Sequence, residues 1–434
     1  MKLKSIGLFI FLSFAVTGFA QEVLTLEEAV RITLENNYNI QISRNDVEIA
    51  ERNVSRANAG MLPSVTGNLT NNRSIQNSAQ TRATGETTER NNARGSNLNY
   101  GAGLNWTVFN GFRMFARYDQ LKEIQRLGDA NLQLNVITTV SDVIERYYNL
   151  VQQQQQLKAF DTAVSISRLR VKTAQTRFEV GKAARLEVLN AQVDFNTDTT
   201  NFLQQQVQYR TSQIALNELM GRDVTIKFSV VNDFQINENL VMSDLLGQAL
   251  LQNPTLRATL ISKRIAELDL KQVKAGRYPV IGLNSGYNFS RSESALGFAT
   301  LNTGRGFNYG LSASINIFNG FLQRRNEKNS EVLIRSAELD LQRINQSVNA
   351  QLASAYQTYL TNLDLVKLEE NNQRIARQNL DITLTRYRLG TITQVEIRDA
   401  QLNYINSTVR LNNSRYQAKL AEISLKEISG SISL

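Results

Sequence analysis

The chain contains no cysteine and no histidine. That excludes disulfides, thiol nucleophiles, histidine-ligated haem and most zinc sites. It also excludes a lipid-modified N-terminal cysteine. Only three prolines occur in 434 residues, so little interrupts a long helix. No stretch beyond the N-terminus approaches the roughly 20 apolar residues of a spanning helix. Neither sign of charge dominates: 48 basic and 39 acidic residues leave +9, spread along the chain. Such a surplus suits a solvated surface and not a nucleic-acid footprint. The sequence has no nucleophile elbow, no Gly-Lys-Ser phosphate loop and no metal-ligand spacing. An enzyme, a cofactor and a metal site are therefore not expected.

The first twenty residues carry Lys2 and Lys4, an apolar run from Ile6 to Val16, and small residues at Gly18 and Ala20. This pattern predicts a secretory signal peptide over residues 1–20. The apolar run is too short for a membrane anchor.

Two strand patterns organise the rest. Leu98, Tyr100, Ala102, Leu104, Trp106 and Val108 alternate with Asn, Gly and Thr, and the run ends in Phe109-Asn-Gly-Phe112. Phe307, Tyr309, Leu311, Ala313, Ile315 and Ile317 repeat the event and end in Phe318-Asn-Gly-Phe321, 209 residues later. A period of two describes strands with one apolar and one polar face. Upstream, Gly60 and Pro63 match Gly276 and Pro279, and Asn37 matches Asn253, each at a shift of 216. The chain is thus an internal duplication. Residues 21–222 form the first repeat, 223–241 a connecting segment and 242–434 the second repeat.

Each repeat reads the same way. A helix opens it, starting at Leu26 behind a Thr25/Glu28 capping box, or near Ser243. Strands are predicted at 64–70 and 97–109, then at 280–290 and 306–318, with polar loops between them at 71–96 and 290–305. Helical hairpins follow at 112–220 and 320–430, turning at Val180-Gly-Lys-Ala-Ala and Leu389-Gly-Thr-Ile-Thr. Val136, Val140, Val143, Tyr147 and Leu150 step by four and three, as do Val348, Leu352, Ala355 and Tyr359, which is a seam for helix against helix. Sixty-five residues of helix span roughly 100 Å, a length no ordinary globular domain needs. Val224, Ile226, Phe228 and Val230 read as a short connecting strand.

Strands with one apolar face, in an exported chain, fit the wall of an outer-membrane barrel. Four strands cannot close alone, and open edges are not tolerated in lipid. Several chains are needed, and physics alone allows a dimer or a trimer. Trp106, Phe109, Phe112, Phe318 and Phe321 cluster where strands give way to helices. They suit an aromatic girdle at the membrane interface; packing between barrel and helices is the alternative for Phe112 and Phe321.

The chain resembles the TolC family of outer-membrane efflux proteins. The resemblance rests on the duplication, the LTLEEAVRITLENN opening, the two FNGF turns, and the paired tips RFEVGKAARLEVLNAQ and RYRLGTITQVEIRDAQ. It implies a mainly α fold with membrane β-strands. In it, three chains would join four strands each into a 12-stranded outer-membrane β-barrel, continued across the periplasm by an α-barrel of helical hairpins. The homotrimer would form a duct served by a periplasmic adaptor protein and an inner-membrane pump, in contact with outer-membrane lipid and with no nucleic acid. The tips Gly181, Lys182, Ala183, Ala184, Arg185 and Gly390, Thr391, Ile392, Thr393 would meet the adaptor. Glu396 and Asp399 match acidic positions that ring the periplasmic entrance in the family, and Glu187 matches an acidic position that helps hold it shut. Ile392 stands where the family has the arginine partner of that acidic residue, so a closing lock must use other pairs. A surface coiled-coil assembly without a lumen and a stand-alone porin are the alternative readings.

Overall fold

The structure is a computed structural model that describes residues 22–294 and 299–432. The predicted signal peptide, residues 1–20, lies outside the described residues. Two compact units are present. One holds the described residues up to 41 with 136–251 and 350–432; the other holds 42–135 and 252–349.

The elements run in two rounds. The first comprises β1 (Glu22–Leu24), α1 (Leu26–Asn36), α2 (Tyr38–Asn53), β2 (Ser64–Thr81), β3 (Thr87–Asn110), α3 (Arg113–Glu179) and α4 (Arg185–Leu219). After β4 (Phe228–Val230) come α5 (Met242–Gln252), α6 (Pro254–Lys274), β5 (Val280–Ser294), β6 (Leu301–Ser314), α7 (Leu322–Leu389) and α8 (Gln394–Ser429).

The opening helix of each repeat is broken in two, where the sequence predicts one. Asn37 is the cause in the first copy. Its backbone is extended, and its side-chain oxygen accepts from the N–H groups of Asn39 (2.9 Å) and Ile40 (3.2 Å). It thereby caps α2 where α1 ends. Asn253 does the same for α6, accepting from Leu256 N–H at 3.0 Å, with Pro254 in the first turn. The shared shift of these two asparagines marks a shared helix break.

In the first unit, Val140, Val143, Tyr147 and Leu150 are buried with Leu24, Val30, Leu216, Met220 and Phe228, and Val136 packs at the edge. The second seam buries Leu352 and Tyr359 with Leu245, Leu363 and Leu425. Buried tyrosines fasten the chain segments laid across these helices. Tyr147 Oη donates to Leu24 O (3.1 Å) and accepts from Val231 N–H (3.3 Å). Tyr359 Oη donates to Asn237 O at 2.6 Å. The connecting strand is shorter than the alternation from Val224 predicts, because Asp223 ties Thr225 into a local turn (2.8 Å). Only Phe228–Val230 extends, pairing in parallel with β1.

The second unit carries a four-stranded antiparallel sheet in the order β2-β3-β5-β6. Its strands differ from the sequence reading at both ends. The polar stretch 71–96 is not a loop. β2 and β3 stay paired to Thr81 and Thr87, with a tight turn closed by Arg82 and Glu86. Ladder bonds need only backbone groups, so Asn, Ser and Thr extend a strand that apolar alternation no longer marks. β5 likewise continues to Ser294, and β6 begins at Leu301. Part of the expected second loop, residues 295–298, lies outside the described residues. In the other direction β6 stops at Ser314 and not at 318. Its partner begins at Val280, and Pro279 before it has no N–H to offer.

Candidate duct entrance and membrane sheet

The two hairpin tips share one construction. Gly181 and Gly390 take left-handed φ of 74° and 79°, a conformation that side chains resist. Lys182 N–H reaches back to Arg177 O at 2.7 Å, and Thr391 N–H to Arg386 O at 3.1 Å, closing the preceding helices as glycine caps do. The two tips then differ. Thr393 and Glu396 form a complete capping box on α8: Thr393 Oγ1 accepts from Glu396 N–H (3.3 Å), and Thr393 N–H donates to Glu396 Oε1 (3.2 Å). The Thr393 N–H and hydroxyl together hold the Glu396 carboxyl below the usual carboxylate range. At the same place before α4 stands Ala184, which has no side-chain oxygen to cap with.

Glu396 and Asp399 are both exposed. Asp399 makes no ion pair among the described residues. Glu187 is half-buried beside Tyr387, whose phenol is buried in the second tip and pushed up by that burial. Arg177 lies over the Tyr387 ring at 5.8 Å. Among the tip residues proposed as adaptor contacts, Gly181, Lys182, Ala184, Arg185, Gly390, Thr391 and Thr393 are exposed, and Ala183 is half-buried. Ile392 must be removed from that set. It is buried with Leu380, Tyr387, Ile397 and Ala400, because an apolar side chain in a short turn is stabilised by packing beneath it.

A few turns from the tips lies a charged cluster that the sequence reading missed. Arg170 of α3 is fully buried. Its guanidinium donates to Asp194 Oδ2 of α4 (2.8 Å) and Gln401 Oε1 of α8 (3.2 Å). Arg398 of α8 donates to Asp198 Oδ2 at 2.8 Å. Ser167 Oγ also donates to Asp198, and Gln401 Nε2 donates to Asp198 (2.9 Å), Ser167 Oγ (3.0 Å) and Ala163 O (3.2 Å). Two arginines face two aspartates, so the cluster is neutral and its polar atoms are nearly all paired, as burial demands. It joins α3, α4 and α8, and one side opens on a groove of about 520 Å³ between the starts of α4 and α8. The available signal was the pair Asp194/Asp198, four apart on α4, opposite Arg398/Gln401, three apart on α8.

In the second unit, the FNGF turns are the same device twice. Asn110 Oδ1 accepts from Met114 N–H (3.1 Å), and Asn319 Oδ1 from Gln323 N–H (3.3 Å). The glycines have φ of 69° and 62°. Phe112 and Phe321 are also left-handed, at 67° and 62°, which is rare and costly for a bulky residue. Gly111 admits no side chain at all, since a Cβ would meet the Ala275 carbonyl. Phe109 and Phe112 meet edge to face at 5.1 Å, and Phe318 and Phe321 at 5.4 Å. Phe112 and Phe321 are 60% and 68% exposed, and the Phe112 ring also meets Phe115 of α3 at 6.2 Å and Tyr278 at 6.3 Å. Trp106 donates its indole N–H to Met61 O at 2.9 Å.

The sheet itself has a consistent apolar face. Val65 pairs with Leu104, and Leu69 with Tyr100. Tyr100 pairs in turn with Phe289, and Tyr287 with Phe307. The opposite face is Asn, Ser, Thr and Gly. Among the described residues, both outer strands, β2 and β6, lack a neighbour on one side.

Duplicated helical hairpins, together with a sheet that has one apolar face and, among the described residues, two open edges, are the parts of an outer-membrane channel protomer. The chain belongs to the outer membrane efflux protein family, whose model matches residues 29–222 and 245–431. It is similar to outer membrane protein TolC of Vibrio cholerae, at 22% identity over 321 residues covering 73% of each chain. It is also similar to outer membrane efflux protein BepC of Brucella suis, at 20% over 417 residues, covering 96% of this chain and 87% of that one. In fold it resembles the outer-membrane channel OprN, with a TM-score of 0.76 and 16% identity over 94% of this chain and 90% of that one. The Campylobacter jejuni CmeC outer membrane channel has a TM-score of 0.75 and 17% identity over 94% and 85%. The protein is thus an outer-membrane duct of a tripartite export system in a Gram-negative bacterium, extending into the periplasm. Its family is one of transport ducts and not of enzymes.

Proposed function

We propose that three copies of this chain close one continuous duct, fed by an inner-membrane pump through a periplasmic adaptor. The observation that supports this is the sheet with one face apolar and, among the described residues, both edge strands unpaired on one side. In lipid every backbone N–H and C=O must find a partner, so such a sheet is stable only when β6 of one copy pairs with β2 of the next. Three copies make a 12-stranded barrel. The paired hairpins of α3/α4 and α7/α8 then line the periplasmic part. The exposed tip residues around Gly181 and Gly390 receive the adaptor. Trp106, Phe109, Phe112, Phe318 and Phe321 lie at the periplasm-facing membrane interface, where aromatic rings are stabilised.

The entrance is assigned to the second tip. Asp399, with Glu396, repeats three times about the axis and forms an acidic mouth that favours cations. Glu187 beside Tyr387 and Arg177 takes part in closing it. Mass measurement of the detergent-solubilised protein tests the assembly. The expected result is three protomers that resist dissociation by detergent. A monomeric mass with a folded, heat-modifiable barrel overturns it.

A further inference from the structure

The apolar face of the sheet changes character toward its hairpin ends. The row Leu69–Tyr100–Phe289 continues on β6 to Arg305. The next row holds Asn71, Leu98, Arg291 and Thr303; the one after it holds Arg73, Ser96, Glu293 and Leu301. Arg94 follows, opposite Ile75. Residues opposite one another in a ladder share a face, and so do residues two apart along a strand. Four arginines therefore lie on the apolar, lipid-directed face, Arg305 level with an aromatic row and the other three beyond it. Tyr100 and Phe289 stack there at 4.8 Å.

The four arginines are arranged as two diagonal pairs, Arg73 with Arg94 across β2 and β3, and Arg291 with Arg305 across β5 and β6. Diagonal neighbours in a sheet lie roughly 7–8 Å apart. All four are exposed. Two acidic side chains share the face: Glu89, opposite Ala79 on β2, and Glu293, which pairs with Arg291 at 2.6 Å and accepts from Ser96 at 3.3 Å. Arg73, Arg94 and Arg305 make no ion pair among the described residues. Exposed guanidinium groups on a surface otherwise made for hydrocarbon carry a cost unless an anion meets them.

We propose that this face binds a polyphosphorylated glycolipid of the outer leaflet, its acyl chains against the aromatic row and its phosphates on Arg73, Arg94, Arg291 and Arg305. The hairpin ends lie opposite the sheet's connections to the long helices, so in an outer-membrane duct they face the cell exterior. A guanidinium fork matches phosphate oxygens in pairs. The patch extends over three two-residue steps, roughly 20 Å of strand. One phospholipid headgroup, about 5–7 Å deep, is too thin to cover it. A headgroup with two or more phosphates on a sugar scaffold fits both the depth and the surplus of positive charge. This inference depends on the outer-membrane location of the protein and not on the assignment of its periplasmic entrance.

The test is native mass spectrometry of the full-length detergent-solubilised protein, titrated with bisphosphorylated lipid A and separately with phosphatidylglycerol. Lipid A is expected to bind at least tenfold more tightly than phosphatidylglycerol. The triple variant Arg73→Gln/Arg291→Gln/Arg305→Gln should lose at least tenfold of that affinity, and lysine at the same three positions should recover part of it. Wild-type lipid A affinity in the glutamine variant overturns the proposal. So does complete displacement of lipid A by inorganic phosphate at matched phosphate concentration, which shows an anion site without a lipid. Should the triple variant fail to assemble, Arg305→Gln and Arg73→Gln alone carry the test, each with about a threefold loss expected and an unchanged affinity overturning it.

Discussion

Arg398 donates to Asp198 at 2.8 Å and so ties α8 to α4, and Arg170 of α3 donates to Asp194 of α4 beside it. Asp198 is only 4% exposed. Breaking one partner of a buried pair leaves a charge without compensation, at about 3–5 kcal/mol. Asp198→Ala should therefore loosen the helices near the tips and raise amide hydrogen exchange in residues 163–200 and 394–405. The double variant Asp198→Ala/Arg398→Met should recover much of the protection. Equal loss in single and double variants would show that the cluster does not act as a pair.

The entrance assignment separates from the cap on a different substitution. Glu396 closes the capping box, so alanine there removes both a charge and a helix cap. Glutamine keeps the cap's acceptor. Glu396→Gln/Asp399→Asn should raise anion permeability relative to cation permeability in planar bilayers and weaken block by multivalent cations, while assembly is preserved. Unchanged selectivity would move the constriction elsewhere, with Glu187 the next position to vary. Thr393→Ala, which removes the cap and leaves both carboxylates, should cost about 0.5–2 kcal/mol of local helix stability with selectivity intact.

A pH dependence follows from Glu422 of α8. Burial raises its pKa, but the Lys426 and Lys419 ammonium groups and the Asn237 N–H outweigh that and hold it below the ordinary 4.5. A carboxyl whose folded pKa is depressed contributes stability above its unfolded value and loses it as pH falls through the folded one. Lys419 also donates to Gln235 O at 2.6 Å, so this cluster pins the connecting segment. Amide exchange in residues 231–241 should rise as pH drops below about 4.5, after correction for intrinsic rates. Glu422→Gln should remove that pH dependence. A variant that keeps it would place the acid-sensitive group elsewhere.

The FNGF turns predict a matched pair of defects. Asn110→Ala and Asn319→Ala each remove a helix-capping acceptor, at about 0.5–2 kcal/mol. Gly111→Ala should be worse than Gly320→Ala, because Gly111 alone has the Ala275 carbonyl against it. Thermal unfolding of the four variants, ranked, checks this; equal effects of the two glycine changes would contradict it.

Loss of the protein from the cell should sensitise it to at least one exported toxic compound, or block secretion of a protein. A deletion that alters neither would contradict the export function.

The physical signals in the chain divide by range. Alternation at Leu98–Val108, the heptad steps through Val136–Leu150 and the twofold shift of FNGF are local periodicities, so the strands, long helices and duplication were legible from residues alone. The glycines at 181 and 390 named the turns for the same reason, since a left-handed turn is decided by the residue that makes it. Strand extent was not legible: Asn71–Thr81 has no apolar face, and only pairing with Thr87–Leu98 makes it a strand. The breaks at Asn37 and Asn253 were hidden because asparagine is neutral until its side chain finds the next helix's N–H groups. Burial of Ile392, and the meeting of Arg170, Asp194, Asp198 and Arg398 from positions up to 228 residues apart, are tertiary facts. Each depends on which helix faces lie together, and no residue pattern within a single helix encodes that.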